Sequence, residues 1–507
     1  MTRFNRRIFV FGGATAVGTL ALGGQPAAAA TFPFTLGIAS GDPLPDGVVL
    51  WTRLAPTPLN ADGHGGMPNQ NVAVDWEVAT DEAFTTIVQH GTVTATYAAA
   101  HSVHVEVSGL QPDFDYFYRF RAQGHISPVG RTRTAPALSA AGRDLLMAFT
   151  SCAHYENGYY TVYRRMAEDR PGLILHLGDY IYEGGAATGG VRQHLGAEIV
   201  SLADYRRRYA QYKTDADLQA AHAAAPWLVV PDDHEVENNY AGYVRANNSP
   251  ALTDPEWRQR RADAYQAYYE NMPLRGGAKP NGGNIQLYRR IRWGTLATFH
   301  LLDTRQYRDD QACGDGWSYC PEAGDPARTL PGATQENWLL DGLGQRNATW
   351  DLIGQQVFFA RRVDAGDAFG LDGWDGYPAS RDRIQKGWVQ RGVPNPVVLT
   401  GDVHRSWAND LKVDFTNPAS PVVGTELVST SVSSGGDGAD TTGVPDSAYN
   451  PHLKFYANHR GYVRTTISQA RMDVDFRAVK KITTTGQPAV TLRSFAIEAG
   501  RPGLQEP

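Results

Sequence analysis

Beyond its first thirty residues the chain has no apolar window long enough to cross a membrane. It has no long basic block either, and its formal charge is −6. That balance argues against a specific nucleic-acid binder. An anionic substrate stays open, because a local metal cluster can reverse the sign of the field. The 53 glycines and 30 prolines carry no strict period, so nothing favours a collagen-like or repeat architecture. Cysteine is scarce: Cys152, Cys313 and Cys320 are the three. Cys313 and Cys320 enclose a short glycine-containing loop, and in an exported protein they are expected to form a disulfide. Cys152 is then a lone thiol, either buried and inert or bound to something.

What is present begins with size. A chain of 507 residues, 42% hydrophobic, can bury a large core and is expected to form two domains. Residues 1–30 read as a targeting segment: basic Thr2-Arg-Phe-Asn-Arg-Arg-Ile8, an apolar glycine-rich run, then Ala27-Ala-Ala-Ala30. Arg6 and Arg7, followed by Ile8 and Phe9, resemble a twin-arginine signal, with Asn5 where serine or threonine is usual. The expectation is a secreted, extracellular protein delivered by the twin-arginine export machinery. Arg3, Arg6 and Arg7 are the only charges in the segment, so its removal takes the net charge from −6 to −9.

Residues 32–135 read as a β-sandwich of fibronectin type. Val48–Thr52, Val72–Val78 and Val103–Val107 are short β-prone runs with turns between them, and Gly109–Arg119 reads as a turn and following strand. Ala135–Arg143 is a plausible linker. After it, over 142–500, the pattern changes. Leu145–Thr150, Leu173–Leu177, Trp227–Pro231 and Val397–Thr400 are compact apolar runs. They end at Ser151-Cys152, Gly178-Asp179, Asp232-Asp-His-Glu235 and Gly401-Asp-Val-His404. Tyr159–Arg170 has helical composition, and buried strands alternating with helices define a layered α/β domain. In such domains sites form beyond the carboxyl ends of the strands. The connection from 184 to 290 carries two further helices, 201–219 and 254–271, the second with Asp254 as cap and Pro255 in its first turn. It could roof a pocket. Tyr265, Tyr268, Tyr269 and Met272 recur near helical spacing, most simply as a packing face.

Each polar strand end has a bland reading alone: Asp179 as a turn residue, Cys152 as a small buried hydrophobe. Together they call for a cation, because several buried carboxylates cannot stay unpaired. Hard cations take oxygen ligands, and a ferric ion also accepts thiolate and phenolate. Asp179 has two oxygens and could bridge two ions. Tyr182 lies about one helical turn on and can return toward the same ion. Tyr180 reads as packing.

The combination resembles the alkaline phosphatase D branch of the calcineurin-like metallophosphoesterases, which includes a related secreted, metal-dependent phospholipase D of filamentous soil bacteria. The matching stretches are Gly41–Arg53, Ser151-Cys152, Gly178–Glu183, Asp232–Asn239 and Gly401–Arg405. The resemblance implies an α/β/β/α catalytic domain. It implies Fe3+ held by Cys152, Asp179 and Tyr182, with Asp402 or a nearby group completing it. It also implies one or two Ca2+ sharing Asp179 and using Asn239, Asp402 and His404, with Asp233, Asn238 and Asn239 as alternative oxygen donors in the third motif. Ordinary members carry Asp-x-His and Asn-His where this chain has Ser151-Cys152 and Asp233-His234. That departure favours iron and calcium over two zinc or manganese ions.

The chemistry so implied is hydrolysis of phosphate monoesters and diesters by a metal-activated hydroxide or oxo ligand. His234 is the candidate proton-transfer partner near the leaving oxygen, and Arg305 a candidate phosphate contact with a surface salt bridge as its bland alternative. Two other readings stand beside this one. A phospholipase D would act on phosphatidylcholine-like lipids, with the aromatics of 265–272 and 373–377 as candidate lining. A non-enzymatic secreted binding protein would leave the ligand-rich strand ends unexplained. A monomer is expected.

Overall fold

The computed structural model describes residues 31–246, 250–441 and 443–507. The export signal expected over 1–30 lies outside the described residues. Two large sheets stack face to face. The first runs from Ser102–Val107 through Gly47–Arg53, Ile38–Leu44, Pro226–Val230, Leu173–Leu177 and Leu145–Thr150 to the C-terminal strands. The second is built on Ala297–Leu301, Trp350–Gly354, Pro396–Thr400 and Val422–Val428, all parallel to one another. The 15-residue strand Leu453–Ile467 joins them: its first half pairs with Ser406–Lys412 and its second with Leu145–Thr150.

Burial explains this layering. The central strands are buried on both faces, so they read as unbroken apolar runs rather than alternating ones. Leu145, Met147, Phe149, Leu175 and Leu228 of the first sheet pack on Phe299, Leu301, Leu352 and Leu399 of the second. Their alternate residues face outward onto helices. Thr161–Glu168 and Asp254–Asn271 cover the first sheet, and Ala333–Gly344 and Pro378–Gln390 cover the second. The result is the expected α/β/β/α order.

The N-terminal region is a sandwich whose second sheet comprises Val72–Ala79, Ile87–Ala95, Asp115–Ala122 and Gly130–Arg133. Val74, Val78, Tyr118 and Phe120 pack there against Val48, Leu50, Val103 and Val105. Its other sheet is continuous with the first catalytic sheet, because Ser40 and Gly41 pair in parallel with Pro226 and Trp227.

Three local expectations are corrected. The segment 201–219 is two helices, Leu202–Lys213 and Ala216–Ala224, because the Asp215 carboxylate accepts the backbone N–H of Asp217 and Leu218 and starts a new one. Thr253, not Asp254, caps the next helix: it is extended, and its N–H and hydroxyl both donate to Glu256. The chain from Asp179 to Tyr182 makes no helical turn. Tyr265, Tyr268 and Met272 are core, as expected, and so are Trp374 and Tyr377. Among the described residues no helix is long and apolar enough to cross a membrane.

Candidate metal centre

Four strand ends deliver the site, and the backbone bends sharply at each delivery. Cys152, Asp179, Asn239, Asp402 and His404 all have positive φ, between 51° and 61°. Non-glycine residues rarely adopt that region, and such strain persists where surrounding structure imposes it, commonly at functional sites. Gly178 makes the tightest turn possible, at φ 98°: a Cβ there would sit 2.4 Å from that of Asp232. The left-handed bend at Asp179, rather than a helical turn, brings Tyr182 back, and its hydroxyl donates to Asp179 Oδ2 at 2.8 Å.

Donor atoms then converge in three overlapping trios, each with its atoms within 4.8 Å of one another. They are Cys152, Asp179 and His404; Asp179, Asp233 and His234; and Asp232, Asp233 and Asp402. Asp179 belongs to the first two and Asp233 to the last two. Tyr182 joins through its hydroxyl, 3.2 Å from His404 Nε2. Asn239 lies at the rim, its backbone N–H donating to Asp233 and its side-chain amide to Asp315, at 2.6 and 2.8 Å. Asn238 points its backbone N–H at Glu183.

The electrostatics of this cluster are unbalanced. Asp179 Oδ1, Asp232 Oδ2 and Asp233 Oδ1 are buried without a hydrogen-bond partner. Burial and the neighbouring carboxylates push the acids of Asp179 and Asp402 well above the usual range. Burial, then Asp179 and Asp402, does the same to the Cys152 thiol. Asp233 is the exception, held low against its burial by Arg305 and His234. Burial, with His234 and Arg460 nearby, pulls His404 down to about 3, so its imidazole is neutral, the form that binds metal. A buried acid cluster with orphaned oxygens, a thiol, a phenol and a neutral imidazole is a donor set that fits cations.

Two other candidates have clear surroundings. His234 Nδ1 lies 2.6 Å from Glu183 Oε2, and its ring packs against Tyr182 at a tilt of 32°. Although burial opposes the charge, Glu183, Asp233 and Asp179 raise its pKa well above the ordinary value. Arg305 is fully buried; its Nε donates to Asp232 and its two Nη atoms to Asp372, at 2.5, 2.8 and 2.8 Å. That geometry holds two carboxylates in place.

Several further residues support the cluster. Glu235 accepts the backbone N–H groups of Asp179, Tyr180 and Asp232, tying two ligand loops together, and burial lifts its pKa to about 8. It stands inside the Asp232–Asn239 run, where its type was a usable signal. Ser434 donates to the Tyr182 hydroxyl oxygen at 2.7 Å and is 2.9 Å from the Cys152 carbonyl oxygen. Nothing local in the run Ser429–Gly436 marks it. Asp372, which neutralises Arg305 and Arg308, was equally hidden. The disulfide Cys313–Cys320 is present and Cys152 is free and buried. Tyr180 packs away from the cluster, its hydroxyl 2.8 Å from His222 Nε2.

Two cavities border the centre, about 220 Å³ beside Asp402 and Asp372 and about 390 Å³ beside His404. A larger one, about 520 Å³ between His104, Tyr269 and Lys279, contains none of the cluster.

The layered fold with its polar strand ends is of the metallophosphoesterase type. Comparison with known proteins narrows the class. The PhoD-like phosphatase family matches residues 147–476, and its N-terminal domain matches residues 20–136. Over 487 residues the chain is 50% identical to alkaline phosphatase D of Bacillus subtilis (strain 168), covering 94% of this chain and 82% of that protein. A solved structure of PhoD superposes with a TM-score of 0.90 at 49% identity, covering 95% of this chain and 93% of that one. The chain belongs to the PhoD-like phosphatase family and is a phosphoric ester hydrolase of the alkaline phosphatase D type.

Proposed function

We propose that the chain is an exported, metal-dependent phosphoesterase that hydrolyses phosphate monoesters and diesters, with a ferric ion and calcium sharing Asp179. The observation that carries this reading is the shared carboxylate: Asp179 stands in two donor trios and keeps one buried oxygen unpartnered. Cys152, Asp179 and Tyr182 would hold iron. His404, which stands in the Cys152–Asp179 trio and beside the Tyr182 hydroxyl, would complete the iron side, while Asp179, Asp233, Asn239 and Asp402 would hold calcium. Bound there, the ions would polarise a phosphoryl oxygen and lower the pKa of a water molecule.

The chain's own residues supply the rest. The Ser434 hydroxyl donates to the Tyr182 oxygen, which favours the phenolate needed on iron. Glu235 fixes the backbone of both ligand loops. His234, oriented through Nδ1 by Glu183, would carry a proton on Nε2 toward the leaving oxygen. Arg305 holds Asp232 and Asp372 in place and, with Arg308, keeps the Asp372 carboxylate ionised against its burial. The aromatics of 265–272 and 373–377 are largely packed into the core, and Tyr269 lines only the cavity away from the cluster, so they line neither cavity beside the candidate metal centre. Export by the twin-arginine route belongs to the same reading and rests on Arg6 and Arg7.

The deciding experiment is elemental analysis of purified protein beside hydrolysis of p-nitrophenyl phosphate, bis(p-nitrophenyl) phosphate and phosphatidylcholine under one set of metal conditions. Iron with calcium and turnover of the first two esters is the expected result. Two zinc ions per chain would overturn the metal assignment. Preferential turnover of phosphatidylcholine would move the reading to phospholipase D.

A further inference from the structure

The two cavities beside the centre differ in charge. They share a wall made by Arg362, Val403 and Trp407. On one side the smaller cavity is lined by Asp315, Asp372, Asp375 and Asp402. On the other, the larger one is lined by Arg362 and Arg405 with His404 and Tyr456, and no acidic residue lines it. His404 belongs both to this cavity and to the donor cluster. An ester with its phosphorus at the cluster therefore has a basic chamber next to it.

The guanidinium groups of that chamber are under-neutralised. Arg405 Nη1 donates to the carbonyl oxygen of His404, and among the described residues Arg405 pairs with no carboxylate. Behind it Arg460 is fully buried and also lacks a carboxylate partner. Its Nη atoms donate to Ser431, Ser434 and Asn458, and its Nε has no partner. The two side chains are close: a Cβ placed on Gly435 would lie 2.9 Å from Arg460 Nη1 and 3.8 Å from Arg405 Nη1. Arg362 pairs with Asp446 at 3.0 Å, sits over Trp317 and Trp407, and leaves its Nε buried and unpartnered. Three guanidinium groups against one carboxylate leave an excess of positive charge in a partly desolvated wall. Planar guanidinium forks match phosphate geometry.

We infer that this chamber is a subsite for a second phosphate on the same substrate, with Arg405 and Arg362 as the residues that set the preference. The inference rests on the phosphodiesterase reading above. Its test uses two chromogenic diesters, the p-nitrophenyl ester of thymidine 5′-phosphate and the same ester bearing a 3′-phosphate. The wild-type protein is expected to favour the doubly phosphorylated ester in kcat/KM by about tenfold at low ionic strength, the size of one charge-assisted hydrogen-bond pair. Arg405→Ala and Arg362→Ala are expected to bring that ratio toward one, with Arg405→Lys retaining part of it; thermal melts confirm folding. A wild-type ratio near one, or a ratio unchanged in both alanine variants, overturns the subsite while leaving phosphoester hydrolysis standing. If neither ester turns over, the diesterase reading falls instead. Calorimetric binding of thymidine 3′,5′-bisphosphate against the 5′-monophosphate then decides the subsite: tighter binding of the bisphosphate, lost in Arg405→Ala, supports it, and equal binding overturns it.

Discussion

Two of the buried charged clusters among the described residues are built on opposite plans. Between the helices Leu202–Lys213 and Asp254–Asn271 and their neighbours, Arg206 grips Glu270 at 2.6 Å, and Arg260 spans Glu237 and Glu198 at 3.0 and 2.8 Å. Each acid there has a guanidinium partner. At the strand ends Arg305 pairs with Asp232, Asp233 and Asp372, and Arg308 with Asp372. Asp179 and Asp402 pair with neither, and three buried carboxylate oxygens accept no hydrogen bond. The first cluster is closed and holds helices together. The second is acid-rich and unbalanced, a donor set that fits the cations proposed above. Burial of charge alone therefore does not mark a site; the imbalance does.

The strongest way to break that contrast is Asp179→Asn, which keeps shape and removes the shared charge. Activity is expected to fall at least about 10⁴-fold, with loss of iron and calcium together by elemental analysis and a folded protein by circular dichroism. Retained metal with retained activity would dissolve the distinction between the clusters. Arg206→Ala is the mirror test. It strands a buried Glu270 and is expected to cost about 3–5 kcal/mol of stability, read by denaturant melts, while metal content and kcat stay as in the wild type.

Glu235→Gln probes the support beneath the open cluster. It leaves the ligands in place but gives the three N–H donors of Asp179, Tyr180 and Asp232 a poorer acceptor. Metal affinity or activity is expected to drop about 10–100-fold, measured by titrating metal back into chelated protein. The smallest effect is expected at the rim. The Cys313–Cys320 loop carries Asp315, which holds Asn239. The double Cys313→Ser, Cys320→Ser variant should lose about 2 kcal/mol or less. Iron content should be untouched, since the proposed iron donors are supplied by other segments; loss of iron from this variant would show that the two sides of the cluster are not separable.

Much was legible along the chain because it is written locally. Strands buried on both faces appear as continuous apolar runs, so Leu145–Thr150, Leu173–Leu177 and Val397–Thr400 declared themselves. The residues terminating them, Cys152, Asp179, Asp402 and His404, stood where sheet ends place a site. Helix ends were less legible: the caps at Asp215 and Thr253 depend on side chains folding back on nearby N–H groups, and Asp254 offered a competing candidate.

The sequence by itself determined the layered class, the lone thiol, the disulfide and most of the residues that converge at the strand ends, since each follows from short-range pattern and residue type. Only the tertiary structure decided how charge is shared. Arg305 looked like a phosphate ligand or a surface ion pair, and became a buried clamp because Asp372, 67 residues away, folds onto it. Ser434 reaches Tyr182 across 252 residues, and Arg405 meets Arg460 only where separate strands converge. Electrostatic partners act through a few ångströms of space and carry no period or spacing in the chain, so three-dimensional proximity alone assigns them.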